Sequence, residues 1–157
     1  MSLIRLQPGL APGDAAPAFD LLDSEGRQHR LFDYLGRWLV VFFYPKDNTP
    51  GCIREACRFG DDYDRFRELG AEVLGISGDD QASHVRFREG CRLRYQLLSD
   101  PRRGMREAWK VPHWLRLLDG RTTYVVDPKG IIRFVFNDRA QAEEHPVRAL
   151  RFLKEQA

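Results

Sequence analysis

The chain has 157 residues, enough for one domain to bury a core without metal or disulfide support. Hydrophobic residues make up 43% and charged residues 31%, an ordinary balance for a soluble globular protein, and 25 basic against 23 acidic residues leave a formal charge of +2. That charge gives no argument for nucleic acid or an anionic membrane as partner. Three cysteines, an odd and low number, argue against a secreted disulfide scaffold and make the cytoplasm the expected setting.

Met1 to Leu10 carries Arg5, Gln7 and Pro8 and reads as neither a secretory signal nor a membrane span. Residues 1–17 are rich in Pro and Gly and are expected to lie over the surface. Ala18–Leu22 and Gln28–Leu31, joined through Ser24-Glu25-Gly26, form a hairpin pattern. Leu31–Leu35 fits one helical turn closed by Gly36. Trp38–Tyr44 is apolar at every position, which predicts a central strand covered on both faces. After Pro50, the apolar positions Ala56, Phe59, Tyr63 and Phe66 step by three and four, predicting one helix that stops at Gly70.

Val73–Ser77 reads as a second buried strand, and Asp79 or Asp80 as the cap of a helix running to about Gly90. Leu97–Leu98 fits a short strand and Arg103–Trp109 a short helix ending near Pro112. Thr122–Val126 and Ile131–Phe136 flank the turn Asp127-Pro-Lys-Gly130, and a last helix runs from Pro146 to the C-terminus. This order predicts a single α/β domain over 1–157: a central mixed β-sheet flanked by helices on both faces, a thioredoxin-like fold with an N-terminal β-hairpin. There is no internal repeat or linker.

The chemistry concentrates in Tyr44-Pro-Lys-Asp-Asn-Thr-Pro-Gly-Cys52-Ile-Arg-Glu-Ala-Cys57, directly after the central strand. Cys52 falls where a helix begins, and the unpaired N–H groups and positive dipole end there favour a thiolate. Pro45, Thr49 and Cys52 spell P-x-x-x-T-x-x-C, which resembles the active-site motif of peroxiredoxins. The longer run from Phe43 through Cys57 is similar to the PrxQ type, also called bacterioferritin comigratory protein, within the AhpC/TSA superfamily. The likeness extends to Ala11–Phe19, Leu98–Pro101, Gly120–Asp127 and Ile132–Asn137.

The resemblance implies a thiol-dependent peroxidase acting on hydrogen peroxide and organic hydroperoxides. Cys52 would attack the peroxide and become a sulfenic acid. Thr49 would bring its hydroxyl to the peroxide, with service as a plain N-cap as its competitor, and Pro45 would supply an apolar wall. Arg121 matches the family's essential arginine and Glu55 the carboxylate that orients it. Cys57 matches the resolving cysteine of members with C-x-x-x-x-C. Five residues of α-helix turn through about 500° and rise about 7.5 Å, so these two side chains point about 140° apart. A disulfide between them requires the first turns to unwind, and Gly51 and Gly60 are expected to ease this.

The chain has no C-x-x-C, so an external donor, thioredoxin or glutaredoxin, is implied. A monomer or weak dimer is implied as well. Cys91 reads as a bystander, although some PrxQ proteins place their resolver in that helix. His84 is expected on a helix surface and His113 in a loop near the site mouth. His29, His84, His113 and His145 show no paired spacing for a metal, and no cofactor motif occurs. Arg54 and Arg58 read as a solvated face and Trp109 as packing. Phe43, Tyr44 and Trp114 could form an apolar collar, and Ile53 stands where many relatives carry Thr. Two rival readings are a thiol–disulfide oxidoreductase and a redox-sensing binding protein on the same fold.

Overall fold

In a computed structural model, which describes residues 9–114 and 118–157, seven strands form one mixed sheet in the order β2-β1-β5-β4-β3-β8-β9. The hairpin β1 (Asp20–Asp23) and β2 (Gln28–Arg30) sits at one edge, where β1 runs antiparallel to β5 (Gln96–Ser99). At the centre β3 (Trp38–Phe43) lies between β4 (Ala71–Ser77), parallel to it, and β8 (Thr122–Val126), antiparallel to it. The hairpin partner β9 (Ile132–Asn137) closes the other edge. The expected thioredoxin-like α/β arrangement is present, with its N-terminal hairpin. Leu31–Tyr34 is a single 3-10 turn.

The central strand is covered on both faces because its side chains alternate between two apolar clusters. Val40 and Phe42 point, with Tyr44 just beyond the strand, into a cluster built from α1 (Pro50–Asp61), α2 (Tyr63–Glu68), α3 (Gln81–Cys91) and α5 (Glu144–Gln156). Leu39, Val41 and Phe43 point into the other, formed with Trp109, Tyr124, Ile132 and Met105 of α4 (Gly104–Ala108). The helical cover is therefore uneven: four helices lie against one face, while α4, the 3-10 turn and the N-terminal segment serve the other. Phe42 and Phe59 stack with ring centroids 4.3 Å apart, which pins α1 to the sheet.

The helix expected from Pro50 to Gly70 is two helices. Ala56, Phe59, Tyr63 and Phe66 are all buried as the stripe predicts, but the chain breaks helical geometry at Asp62 (φ −94°, ψ 1°). Asp is a weak helix former, and this carboxylate takes Arg58 Nε at 3.2 Å on one side and Arg65 Nη1 at 3.3 Å on the other. A short pair not anticipated in the sequence, β6 (His113–Trp114) with β7 (Leu118–Asp119), precedes β8. Two residues are too few to show an alternation.

Candidate active site

The site is assembled by the register of β3 against β8. Phe43 pairs with Thr122, so the residue before β8, Arg121, arrives beside the end of β3, where the chain turns into α1. That register brings Arg121 to Cys52, 69 positions earlier in the chain, at the first turn of α1. Pro50 occupies the first helical position and Thr49 the N-cap, as fits a proline with no N–H to satisfy. The first helical hydrogen bond runs from Ile53 N to Thr49 O at 2.8 Å, so the amides of Gly51 and Cys52 precede the helical ladder.

Cys52 is 1% exposed, and Arg121 Nη2 donates to its Sγ at 3.6 Å. The same guanidinium donates through Nη1 to Glu55 Oε1 at 2.6 Å and through Nε to Arg139 O at 3.2 Å. Two further acceptors, one on α1 and one beyond β9, thus hold one planar cation against the sulfur, an arrangement that stabilises negative charge there. Gly51 makes this possible, since a Cβ at that position would lie 3.1 Å from Arg121 Nη2. Against its own burial, Arg121 is held above its ordinary value by Glu55 and by the Cys52 sulfur.

Glu55 is buried, and burial pushes its carboxyl up to about 8, with Arg121 opposing and only partly offsetting the shift. The pair thus favours a permanent cation beside a carboxyl that releases its proton reluctantly. Its second oxygen, Oε2, has no hydrogen-bond partner and lies 3.6 Å from His145 Nδ1. His145 Nε2 must donate to Asp138 O at 2.7 Å, because a carbonyl only accepts. Its Nδ1 meets Thr123 Oγ1 at 2.8 Å, and burial above all pushes the imidazole down to about 4. A neutral ring therefore backs Glu55.

The residues named from the sequence are not all brought together. Cys52, Glu55 and Arg121 meet. Cys57 lies in the same unbroken helix, half-buried on another face, and all three cysteines are free thiols. Pro45 and Thr49 are half-buried in the connection from β3 to α1. The Thr49 side chain caps nothing and donates instead to Lys46 O at 3.0 Å, so the plain N-cap role is not the one it plays. Arg54 reaches Glu143 at 3.3 Å on the exposed side.

Several expectations need correction. His84 is not on a surface but fully buried, with Nδ1 2.7 Å from Asp47 Oδ2 and Nε2 donating to Leu98 O at 3.2 Å. Asp47 also accepts from Tyr44 Oη at 2.5 Å and Ser83 Oγ at 2.8 Å, while its own N–H donates to Asp79 Oδ2 at 2.8 Å. This network ties the loop before Cys52 to α3. Phe43 and Tyr44 are wholly buried and so form no collar; the Trp114 side chain, the third member, lies outside the described residues, as do residues 1–8 of the N-terminal segment. His113 starts β6 rather than standing in a loop.

Arg106 was not singled out from sequence. It is 3% exposed, donates to Tyr44 O at 2.8 Å and Gly120 O at 3.1 Å, and brings a second buried cation to the Cys52 surroundings. Burial lowers its pKa, with Asp119, Asp100 and the Cys52 sulfur pulling the other way. Only its place among charged neighbours sets it apart, and a lone Arg in a helical stretch gives no such signal. Among the described residues no group of His, Cys, Asp and Glu could hold a metal ion.

The AhpC/TSA family model matches residues 12–135. The chain is similar to a chloroplastic peroxiredoxin Q from Suaeda salsa, with 45% identity over 146 residues, 92% of this chain and 68% of that one. Among solved structures, peroxidoxin BcpB from Mycobacterium tuberculosis superposes with a TM-score of 0.87 at 34% identity, covering 94% of this chain and 99% of that chain. The bacterioferritin comigratory protein of Xanthomonas campestris, studied for its alkyl peroxide reduction activity, superposes with a TM-score of 0.83 at 29% identity, covering 88% of this chain and 91% of that chain.

Proposed function

Because the chain belongs to the AhpC/TSA family and is a thiol-dependent peroxidase of the peroxiredoxin Q type, we propose that Cys52 is the sulfur that reduces the peroxide. A peroxide is the substrate and a thioredoxin-like dithiol the reductant. The single observation that carries the assignment of Cys52 is the Arg121 guanidinium, buried and triply anchored, donating to Cys52 Sγ at 3.6 Å.

In this reading Cys52 attacks one peroxide oxygen. The S–O bond forms as the O–O bond breaks, and the departing oxygen leaves as hydroxide or alkoxide and takes up a proton. Arg121 faces both charges, the thiolate before attack and the leaving oxygen after it. Thr49, whose hydroxyl oxygen keeps accepting capacity while donating to Lys46 O, orients the peroxide proton, and Pro45 limits water. Cys57 then condenses with the sulfenic acid, releasing water and forming the Cys52–Cys57 disulfide. Both residues lie in wound helix, so α1 opens for this step.

The substrates we propose are hydrogen peroxide and organic hydroperoxides, a range supported by the alkyl peroxide reduction activity of the Xanthomonas campestris relative. Thioredoxin or glutaredoxin is the proposed donor and the cytoplasm the proposed compartment, which thiol trapping in cells would test. We propose a monomer or weak dimer, because the exposed large apolar side chains Leu22, Phe32, Leu35, Ile53 and Val85 are spread over β1, the 3-10 turn and its end, α1 and α3. Sedimentation measures this directly.

The test is peroxide consumption coupled to a thioredoxin system. Cys52→Ser is expected to fall to the uncatalysed background. Cys57→Ser is expected to reduce one equivalent of peroxide and then stall. Full turnover by Cys52→Ser would overturn the assignment. Disulfide reduction without peroxide consumption by the wild type would point to the oxidoreductase reading.

A further inference from the structure

Cys57 and Cys91, on different helices, are neighbours. The Cys57 face of α1 packs against the end of α3. Cys91 is the last residue of α3, and Arg92 (φ 53°, ψ 45°) turns the chain back so that Leu93 also meets α1. One turn beyond Cys57 stands Gly60, where a Cβ would lie 3.1 Å from Leu93 Cδ2, so the two segments approach closely there. Tyr95 Oη donates to Ala56 O at 2.7 Å, locking the residue beside Cys57 to the chain just past Cys91. Cys91 packs on the cluster that holds Ala56, Phe59 and Leu93, which brings its thiol into the neighbourhood of that of Cys57. Both thiols are partly exposed, whereas Cys52 is 1% exposed.

We propose that Cys57 and Cys91 form a second disulfide that takes the oxidising equivalent off the peroxide-reducing site before any external reductant arrives. The inference rests on the reading of Cys52 and Cys57 given above. In the step, Cys91 gives up its proton to water and its sulfur attacks Cys57 Sγ of the Cys52–Cys57 disulfide. The Cys57–Cys91 bond forms, the Cys52–Cys57 bond breaks, and the electron pair leaves on Cys52 as a thiolate. No further oxidant is needed, since the two equivalents taken from the peroxide already reside in the first disulfide.

The direction of exchange follows from geometry. A Cys52–Cys57 bond cannot coexist with a wound α1, because the side chains point about 140° apart. The segments that carry Cys57 and Cys91 are packed together while α1 is wound. Exchange lets the first turns rewind, reburies Cys52 and restores its contact with Arg121, so helix folding drives the second disulfide. The protonation of Cys91 fits a late role. Burial first, then the hydrogen bond and charge of Cys57, push its thiol up to about 12. The last two contributions vanish once the Cys57 sulfur has entered a disulfide.

Trypsin separates the three cysteines, because Arg54 lies between Cys52 and Cys57 while Arg58, Arg88 and Arg92 bound the other two. Reduced full-length protein is treated with one equivalent of hydrogen peroxide, quenched in acid at intervals, alkylated, digested without reductant and read by mass spectrometry. The wild type is expected to show a Cys52–Cys57 link that gives way to Cys57–Cys91 with Cys52 alkylated. In a parallel titration with excess hydrogen peroxide and no reductant, the wild type should consume about two equivalents before stalling, against about one for Cys91→Ser and for Cys91→Ala. Persistence of Cys52–Cys57 in the wild type, with one equivalent consumed, would overturn the relay and leave the proposed function intact. A direct Cys52–Cys91 link with no Cys52–Cys57 stage would overturn the relay together with Cys57 as resolver, leaving Cys52 in place. The wild-type mapping stands alone if a Cys91 variant does not fold.

Discussion

Arg121 is useful at this site because it is always charged and because its fork reaches Cys52, Glu55 and Arg139 at once. Removing that donor with Arg121→Met is expected to slow the reaction of Cys52 with peroxide by on the order of 100-fold, measured by stopped-flow fluorescence under single-turnover conditions. In the proposed mechanism Glu55, bonded to Arg121 Nη1, acts through Arg121 as a positioning residue. Its carboxyl is raised by burial from 4.5 to about 8, so the folded chain binds a proton that the unfolded chain has already released across that window. The stability tied to this proton is full below pH 4.5 and is lost as pH rises toward 8. Urea melts from pH 5 to 9 should show this fall in the wild type and a flatter profile in Glu55→Gln. The Gln carbonyl still accepts from Arg121, so its peroxide reaction at pH 7 should stay within about tenfold of wild type. An equal fall in both proteins would show that Glu55 is not the titrating group.

At the scale of the element, α1 carries two incompatible requirements. It must be wound to place Cys52 against Arg121, and unwound for the proposed Cys52–Cys57 disulfide. Its anchors are uneven: Phe59 stacks on Phe42 in the second half, while the first turn leans on Arg121 through the side-chain gap at Gly51. Amide exchange should therefore show residues 51–57 losing protection in a Cys91→Ser protein trapped as Cys52–Cys57, while residues 58–61 change less. Uniform protection across 51–60 in both redox states would refute local unwinding. The Gly60 approach to Leu93 qualifies the expectation that this glycine eases opening, since it also lets α1 pack tightly on the end of α3. The split of the expected long helix at Asp62 separates this moving segment from α2, whose Tyr63 and Phe66 remain in the core.

For the molecule as a whole, His145 links α5 to β8 through Thr123, to the segment after β9 through Asp138, and stands beside Glu55 of α1. Its imidazole is held near 4 in the fold against 6.5 ordinarily, chiefly by burial. The unfolded chain therefore takes up the extra proton, and the stability this group confers is complete above pH 6.5 and lost as pH falls toward 4. The full shift corresponds to about 3 kcal/mol. Compared with His145→Gln in urea melts at pH 7.5, 5 and 4, the wild type is expected to lose more stability on acidification, by up to that amount. Parallel losses would exclude His145 as the source.

Much of this was legible in the chain. Trp38–Tyr44 announced a doubly covered strand because apolar side chains at every position leave no face for water. The apolar stripe of Ala56, Phe59, Tyr63 and Phe66 announced a buried helical face, and Pro50 followed by Cys52 placed a thiol at a helix start. These are local signals, set by backbone periodicity and by the missing N–H of proline, and they need no partner elsewhere. What no local signal carries is contact across the chain. The register of β3 on β8 decided that Arg121 would face Cys52, and the packing of α1 on α3 decided that Cys91 would stand beside Cys57. Burial decided the rest: His84 and Arg106 are polar residues whose environment, rather than their neighbours in sequence, makes them part of the site's support. Those outcomes depend on which surfaces meet, and only the tertiary structure sets that.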